Sequence, residues 1–193
     1  MANPSVHNYA FRKALGYVRN KKGLREAEVI IKTFHDAVPQ KISERPPYVP
    51  LYLPMKNFIL LLQIIRNRLG DDNVMSGGVS TTRLYDVGYY VYVGPEEKDS
   101  PYTFLDPHKH LLEVITDFYH NLITPSAIIR ECTFGLQEDE SKFIVTWDEC
   151  KDYMDLFPYL EGLHGGMIKA STSHGLIFSK KTKNKFVFEI EIL

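Results

Sequence analysis

The chain has 193 residues, with 23 Lys and Arg against 24 Asp and Glu and a formal net charge of −1. That length gives one domain of ordinary size, able to bury enough apolar surface to fold without disulfide or metal staples. The balance of charge excludes a global pull toward nucleic acid or anionic membrane. Cys132 and Cys150 form no CxxC pair, so neither a zinc ribbon nor a disulfide framework is expected.

Met1 to Ala10 is polar and lacks the charged start and apolar run of a signal peptide, which sets the cytoplasm as the expected location. In residues 5–36 the apolar positions Val6, Tyr9, Phe11, Leu15 and Val18, then Leu24, Ala27, Ile30 and Phe34, recur near three and four. This spacing predicts two amphipathic helices joined by a turn at Lys21-Lys22-Gly23. Residues 1–45 carry nine Lys and Arg against four acids, so residues 1–47 read as a basic helical N-terminal arm. Pro39, Pro46, Pro47, Pro50 and Pro54 predict an extended connection to a main domain over 48–193.

From Met55 to Leu69 the apolar residues keep a helical period, with Gly70 as the cap, and this helix is expected to be the most buried. Its apolar run, Phe58 to Leu62 and then Ile64-Ile65, is too short to span a bilayer. Ser76-Gly77-Gly78 reads as a flexible turn. Tyr89 to Val93 favours a strand by composition, with a short helix as the alternative. After a polar loop, His108 to Ile123 sets Leu111, Leu112, Ile115, Phe118, Tyr119 and Leu122 on one helical stripe that Pro125 ends.

Strands are predicted over Ala127–Phe134 and Lys142–Trp147, then a helix over Pro158–Ala170, then strands over Gly175–Ser179 and Lys185–Leu193. In the last of these Phe186, Phe188, Ile190 and Ile192 share one face, as a half-buried sheet requires. The expected fold class is α+β: helices packed on a small antiparallel sheet, ending in a strand-strand-helix-strand-strand unit.

Chemistry-bearing patterns are few. His108 and His110 would point roughly 200° apart on a helix and cannot share a metal. No GxSxG, Walker or GxGxxG motif is present. His120 follows the apolar stripe, either as a boundary histidine or as an axial ligand facing a hydrophobic pocket. Trp147 to Asp152 places acids beside a cysteine in what reads as a strand-to-helix connection. Gly162 and Gly166 lie four apart on one face of the Pro158 helix, each costing about 1 kcal/mol relative to alanine. Close approach of another backbone, a ligand or a dimer mate would offset that cost.

Pro50 to Gly70, the segment Tyr159-Leu160-Glu161-Gly162-Leu163-His164-Gly165-Gly166 and the strand Phe186 to Ile190 resemble one superfamily. It comprises the heme nitric-oxide-binding (H-NOX) domains, the 4-vinyl reductase domains and the TRAPP-complex subunits, and the resemblance covers about residues 48–193. It implies a non-catalytic small-molecule-binding sensor or scaffold domain in bacterial signalling, a homodimer with a signalling protein as partner. An apolar ligand would sit among Phe58, Leu62, Tyr89, Tyr92, Leu111, Ile115, Phe118, Tyr119 and Met167. Two alternatives remain: a heme-based gas sensor with His120 as proximal ligand, and an enzyme pairing His164 or His120 with Glu161 or Asp117. Where H-NOX domains hold heme propionates with Tyr-x-Ser-x-Arg, this chain has Trp147-Asp148-Glu149-Cys150-Lys151. The cysteine cluster of many 4-vinyl reductase domains is missing.

Overall fold

The computed structural model describes residues 4–39, 42, 51–92, 129–130, 132, 134–138, 142–170 and 175–192, so the helix predicted over 108–123 lies outside the described residues. A short strand, β1 (Ser5–His7), runs directly into α1 (Asn8–Lys22). The His7 ring accepts the Tyr9 amide at 3.1 Å, satisfying one of the donors that a helix start leaves over. Arg19, Lys21 and Lys22 occupy the last turn, where the helix dipole favours cations. Gly23, at φ 93°, then ends the helix by donating to the Arg19 carbonyl. α2 (Leu24–Ala37) follows and turns Ala27, Ile30 and Phe34 inward, the stripe that its period predicts.

β2 (Tyr52–Pro54) and β3 (Ile129–Arg130) pair antiparallel with the two edges of β1, giving a three-stranded sheet in the order β2-β1-β3. α3 (Met55–Leu69) has the predicted bounds, buries Phe58, Leu61, Leu62 and Ile65, and closes on Gly70 at φ 87°. Its Arg66 binds both Asp71 and Asp155, and Gln63 also donates to Asp155. Burial works against the Asp155 carboxylate, but those two donors hold its pKa below the usual carboxylate range.

α4 (Asp71–Tyr92) replaces the turn expected at Ser76-Gly77-Gly78, and over Tyr89 to Tyr92 the helical alternative holds and not the strand. Local propensity alone reads the paired glycines as a turn and the aromatic run as a strand. What keeps the glycines helical is tertiary. A side chain at 77 would press on Ala14, with its Cβ 3.4 Å from the Ala14 Cα, and one at 78 would enter the backbone of a second helix, α5 (Phe157–Ala170).

The second sheet is antiparallel throughout, in the order β4 (Phe134–Glu138), β5 (Lys142–Trp147), β7 (Phe186–Ile192), β6 (Gly175–Lys181). The strand predicted over 127–134 is divided: β3 joins the small sheet, and β4 starts only at Phe134. Phe143, Val145 and Trp147 of β5 and Phe186, Phe188 and Ile190 of β7 bury one face, under α5. Phe157 stacks on Phe188 with ring centroids 5.3 Å apart. The architecture is α+β, as expected.

The N-terminal helices expected as an arm pack against the rest of the chain. β1 is the central strand of the three-stranded sheet, and the Phe11 ring lies 4.9 Å from Phe58, which lies 4.8 Å from Tyr159. Phe11, Val18, Ile30 and Phe34 are therefore members of the common core. Amphipathic helices must cover their apolar stripe, and here the rest of the chain covers it. Among the described residues, no helix is long and apolar enough to cross a membrane.

Candidate functional site

Among the described residues, α4 and α5 cross in backbone contact. A Cβ on Gly162 would overlap the Met75 carbonyl and stand 2.6 Å from its carbon. One on Gly78 would overlap the Tyr159 carbonyl and stand 2.8 Å from the Leu163 nitrogen. The two glycines thus let two helix backbones touch, and of the three reasons offered for Gly162 it is another backbone that meets it. That backbone belongs to a helix; the sheet lies on the Gly165 side, where a side chain would come within 3.9 Å of Ile177. Gly166 is buried on the same helix. The seam is pinned by the buried Tyr159 hydroxyl, which donates to Thr81 Oγ1 at 2.9 Å, while Thr81 donates to the Gly77 carbonyl. Burial pushes the Tyr159 phenol pKa well up, so it remains a neutral donor.

Of the expected apolar pocket, only Phe58 and Leu62 have side chains among the described residues. Phe58 and Leu62 are fully buried, and Phe58 is packed between Phe11 and Tyr159. Met75 opposite Gly162 and Gly78 opposite Tyr159 make α4 and α5 antiparallel. Position 167 on α5 therefore lies toward the Asp71 end of α4, whereas positions 89 and 92 lie at its other end. Leu111, Ile115, Phe118, Tyr119 and His120 lie outside the described residues, as does Asp117.

His164 is completely buried, its ring centroid 4.5 Å from that of Phe188. Desolvation pushes its pKa down to about 3 against a partly opposing hydrogen bond to the Leu160 backbone carbonyl, so the imidazole is neutral at pH 7. A ring sealed in the core cannot exchange a proton with a substrate, and the neighbouring Glu161 carboxylate instead receives the Ser179 hydroxyl. Cys150 is equally inert. Its thiol is buried against the Trp147 and Asp148 carbonyls, and desolvation pushes its pKa up to about 11.

Sequence reasoning missed one concavity. α1 and α4 touch where Ala14 meets Gly77, and beside that contact a cleft of about 360 Å³ opens, lined by Lys13, Gly16, Tyr17, Asn20, Lys21, Ser76, Val79 and Ser80. A side chain on Gly16 would meet nothing within 4 Å. A glycine in the interior of a predicted helix was the available signal, but its partners lie some sixty residues further along the chain.

No family model matches the sequence, and no curated protein matches it. Solved structures do match. An Fe(II) unliganded H-NOX protein from K. algicida superposes with a TM-score of 0.54 at 15% identity, over 97% of this chain and 96% of that one. The H-NOX domain from Shewanella oneidensis, a variant solved by NMR in the Fe(II)CO ligation state, gives 0.58 at 14% identity over 95% and 97%. The chain has the H-NOX fold. A third H-NOX structure, solved to probe heme distortion in that family, gives 0.53 at 7% identity over 96% and 94%. Because these matches run over nearly the whole chain, the H-NOX fold here includes the two N-terminal helices.

Among the described residues, the segment Trp147 to Lys151 fits heme propionates poorly. Propionates need cationic or neutral donors, and the segment that stands for the H-NOX Tyr-x-Ser-x-Arg motif supplies acids. Trp147 is buried in β5, Asp148 lies 3.3 Å from Lys185, and Glu149 is exposed in a left-handed turn at φ 57°. Cys150 is tied through its amide to the Asn184 carbonyl, which leaves exposed Lys151 as the one cation of the five.

Proposed function

We propose that this chain is a non-catalytic sensor or scaffold domain of bacterial signalling that binds a small molecule and acts as a homodimer. The observation that carries the reading is the H-NOX fold over nearly the whole chain, since solved proteins of that fold are described in Fe(II) and Fe(II)CO states and through a mechanism of activation. The sealed His164 supports a role without catalysis. In this proposal the apolar wall of the ligand site is formed by Leu111, Ile115, Phe118 and Tyr119. Native mass spectrometry of the purified chain should show a dimer carrying a retained small molecule. A ligand-free monomer, unchanged on addition of apolar compounds, would remove the support for this reading.

Heme is not the ligand in this proposal, because Asp148 and Glu149 face it with like charge where the H-NOX motif offers donors. Incubation of the purified chain with hemin, followed by desalting, should leave no Soret band. A stable Soret band that disappears in His120→Ala would instead establish a heme-based gas sensor.

A further inference from the structure

Of the large apolar side chains that stand exposed among the described residues, Leu24, Val29 and Met75 are scattered over α2 and α4, whereas Leu176 and Phe178 share one face of β6 at 45% and 55% exposure. Single apolar residues on a surface are ordinary; two neighbours on one strand face call for a cover. β6 ends its sheet: β7 takes one edge, and among the described residues no strand takes the other. An open edge presents a row of backbone donors and acceptors ready to pair. Lysine ordinarily guards such an edge, and here the guard is one-sided. Lys180 and Lys181 fill the last two positions of β6, while Gly175 to Phe178 carries no charge.

That one-sidedness selects how the edge can be covered. A second β6 laid parallel would set Lys180 beside Lys180 and Lys181 beside Lys181, like charge against like. Laid antiparallel about a two-fold axis at Phe178, it sets Phe178 against Phe178, Leu176 against the partner's Lys180 and Gly175 against the partner's Lys181. The charges then complete one another. Within its own sheet Lys180 stands opposite Val187, and Leu176 stands opposite Glu191. Neither Lys180 nor Glu191 makes an ion pair among the described residues. The partner's Lys180 comes to lie beyond Leu176 in the same row as Glu191, two strand spacings or roughly 10 Å away, which the two extended side chains close between them. Glu189, in the row of Phe178, is already taken by Lys142 at 3.1 Å, so Glu191 is the carboxylate left for the partner.

We infer, resting on the homodimer proposed above, that this edge is its interface: β6 of one copy pairs antiparallel with β6 of a second about Phe178, joining the two four-stranded sheets into one. Pairing about a two-fold axis uses up this edge, so the contact closes at two copies. Leu176 and Phe178 supply the apolar contact and the two backbones supply the ladder. The Lys180 to Glu191 pairs, one on each side of the axis, fix the register.

Sedimentation velocity of the full chain over a range of protein concentrations tests the interface, and wild type should form a dimer. Phe178→Lys puts two ammonium groups at the axis and should weaken dimerisation at least about a hundredfold, while its exposed position leaves the fold intact, which circular dichroism checks. Lys180→Glu should weaken it about tenfold, and adding Glu191→Lys should restore most of that loss, because the pair is then exchanged across the axis. If folded Phe178→Lys dimerises as tightly as wild type, the interface is overturned and the homodimer stands on another face. If the charge exchange restores nothing, the strands do not meet about Phe178, which also overturns it. A wild-type chain that stays monomeric at every concentration removes both the interface and the homodimer.

Discussion

Gly162→Ala is expected to destabilise the domain by about 3 kcal/mol, the upper end of what overpacking ordinarily costs. The added methyl overlaps the Met75 carbonyl and stands 3.0 Å from the Met75 Cα, so relief requires moving one helix backbone away from another. A flexible side chain could swing aside; a helix cannot without breaking its seam. The same displacement would strain the Tyr159 to Thr81 hydrogen bond and the contact of Tyr159 with Phe58. At about 2–4 °C per kcal/mol for a chain of this size, the melting temperature should fall by roughly 6–12 °C. The control lies on the same helix. Gly165→Ala brings its methyl only to ordinary contact with Ile177, at 3.9 Å, and should be neutral or stabilising by about 0.5–1 kcal/mol through helix propensity. Urea unfolding of the two variants should move in opposite directions. If Gly162→Ala is as stable as Gly165→Ala, the helices are not in backbone contact at that point.

This crossing also marks the boundary of what the sequence could reveal. Features set by a local period were legible: the bounds of α3, the inward stripe of α2, and the alternation of Phe186, Phe188 and Ile190 in β7. Gly162 was legible as a costly choice, because its penalty is intrinsic to the helix it occupies. Its partner was not, since Gly77-Gly78 carries the same local signal as a turn, and only the backbone of α5 and the side of Ala14 make those glycines useful inside a helix. The proline run at 39–54 dictates an extended backbone but says nothing about which faces meet across it. Phe58 and Leu62 show the limit for sites. A helical apolar stripe looks the same whether it is filled by Phe11 and Tyr159 or by a ligand. The cleft at Gly16 joins α1 to α4, and the interior glycine in one segment does not name its partners in the other.

Stability should fall steadily on mild acidification, and His164 should be the main cause. Its pKa is pushed down to about 3 in the folded chain, below the ordinary value of 6.5 that it regains on unfolding. Above pH 6.5 the imidazole is neutral in both states, and pH has no effect through this group. Between 6.5 and about 3 the unfolded chain binds a proton that the folded chain refuses, so each unit of acidification removes about 1.4 kcal/mol. From pH 7 to pH 5 the expected loss is about 2 kcal/mol. Asp155 contributes in a separate window: its carboxyl is held below 3.8 in the folded chain, so its stabilisation is present above that value and is lost only as pH falls further. Urea midpoints measured at pH 7, 6 and 5 read the His164 slope before Asp155 enters. His164→Leu removes the titrating group while keeping an apolar contact to Phe188, and its midpoint should change far less over that range. Parallel slopes for wild type and variant would mean that His164 accepts a proton while folded, which a ring enclosed by the sheet and α5 could not do.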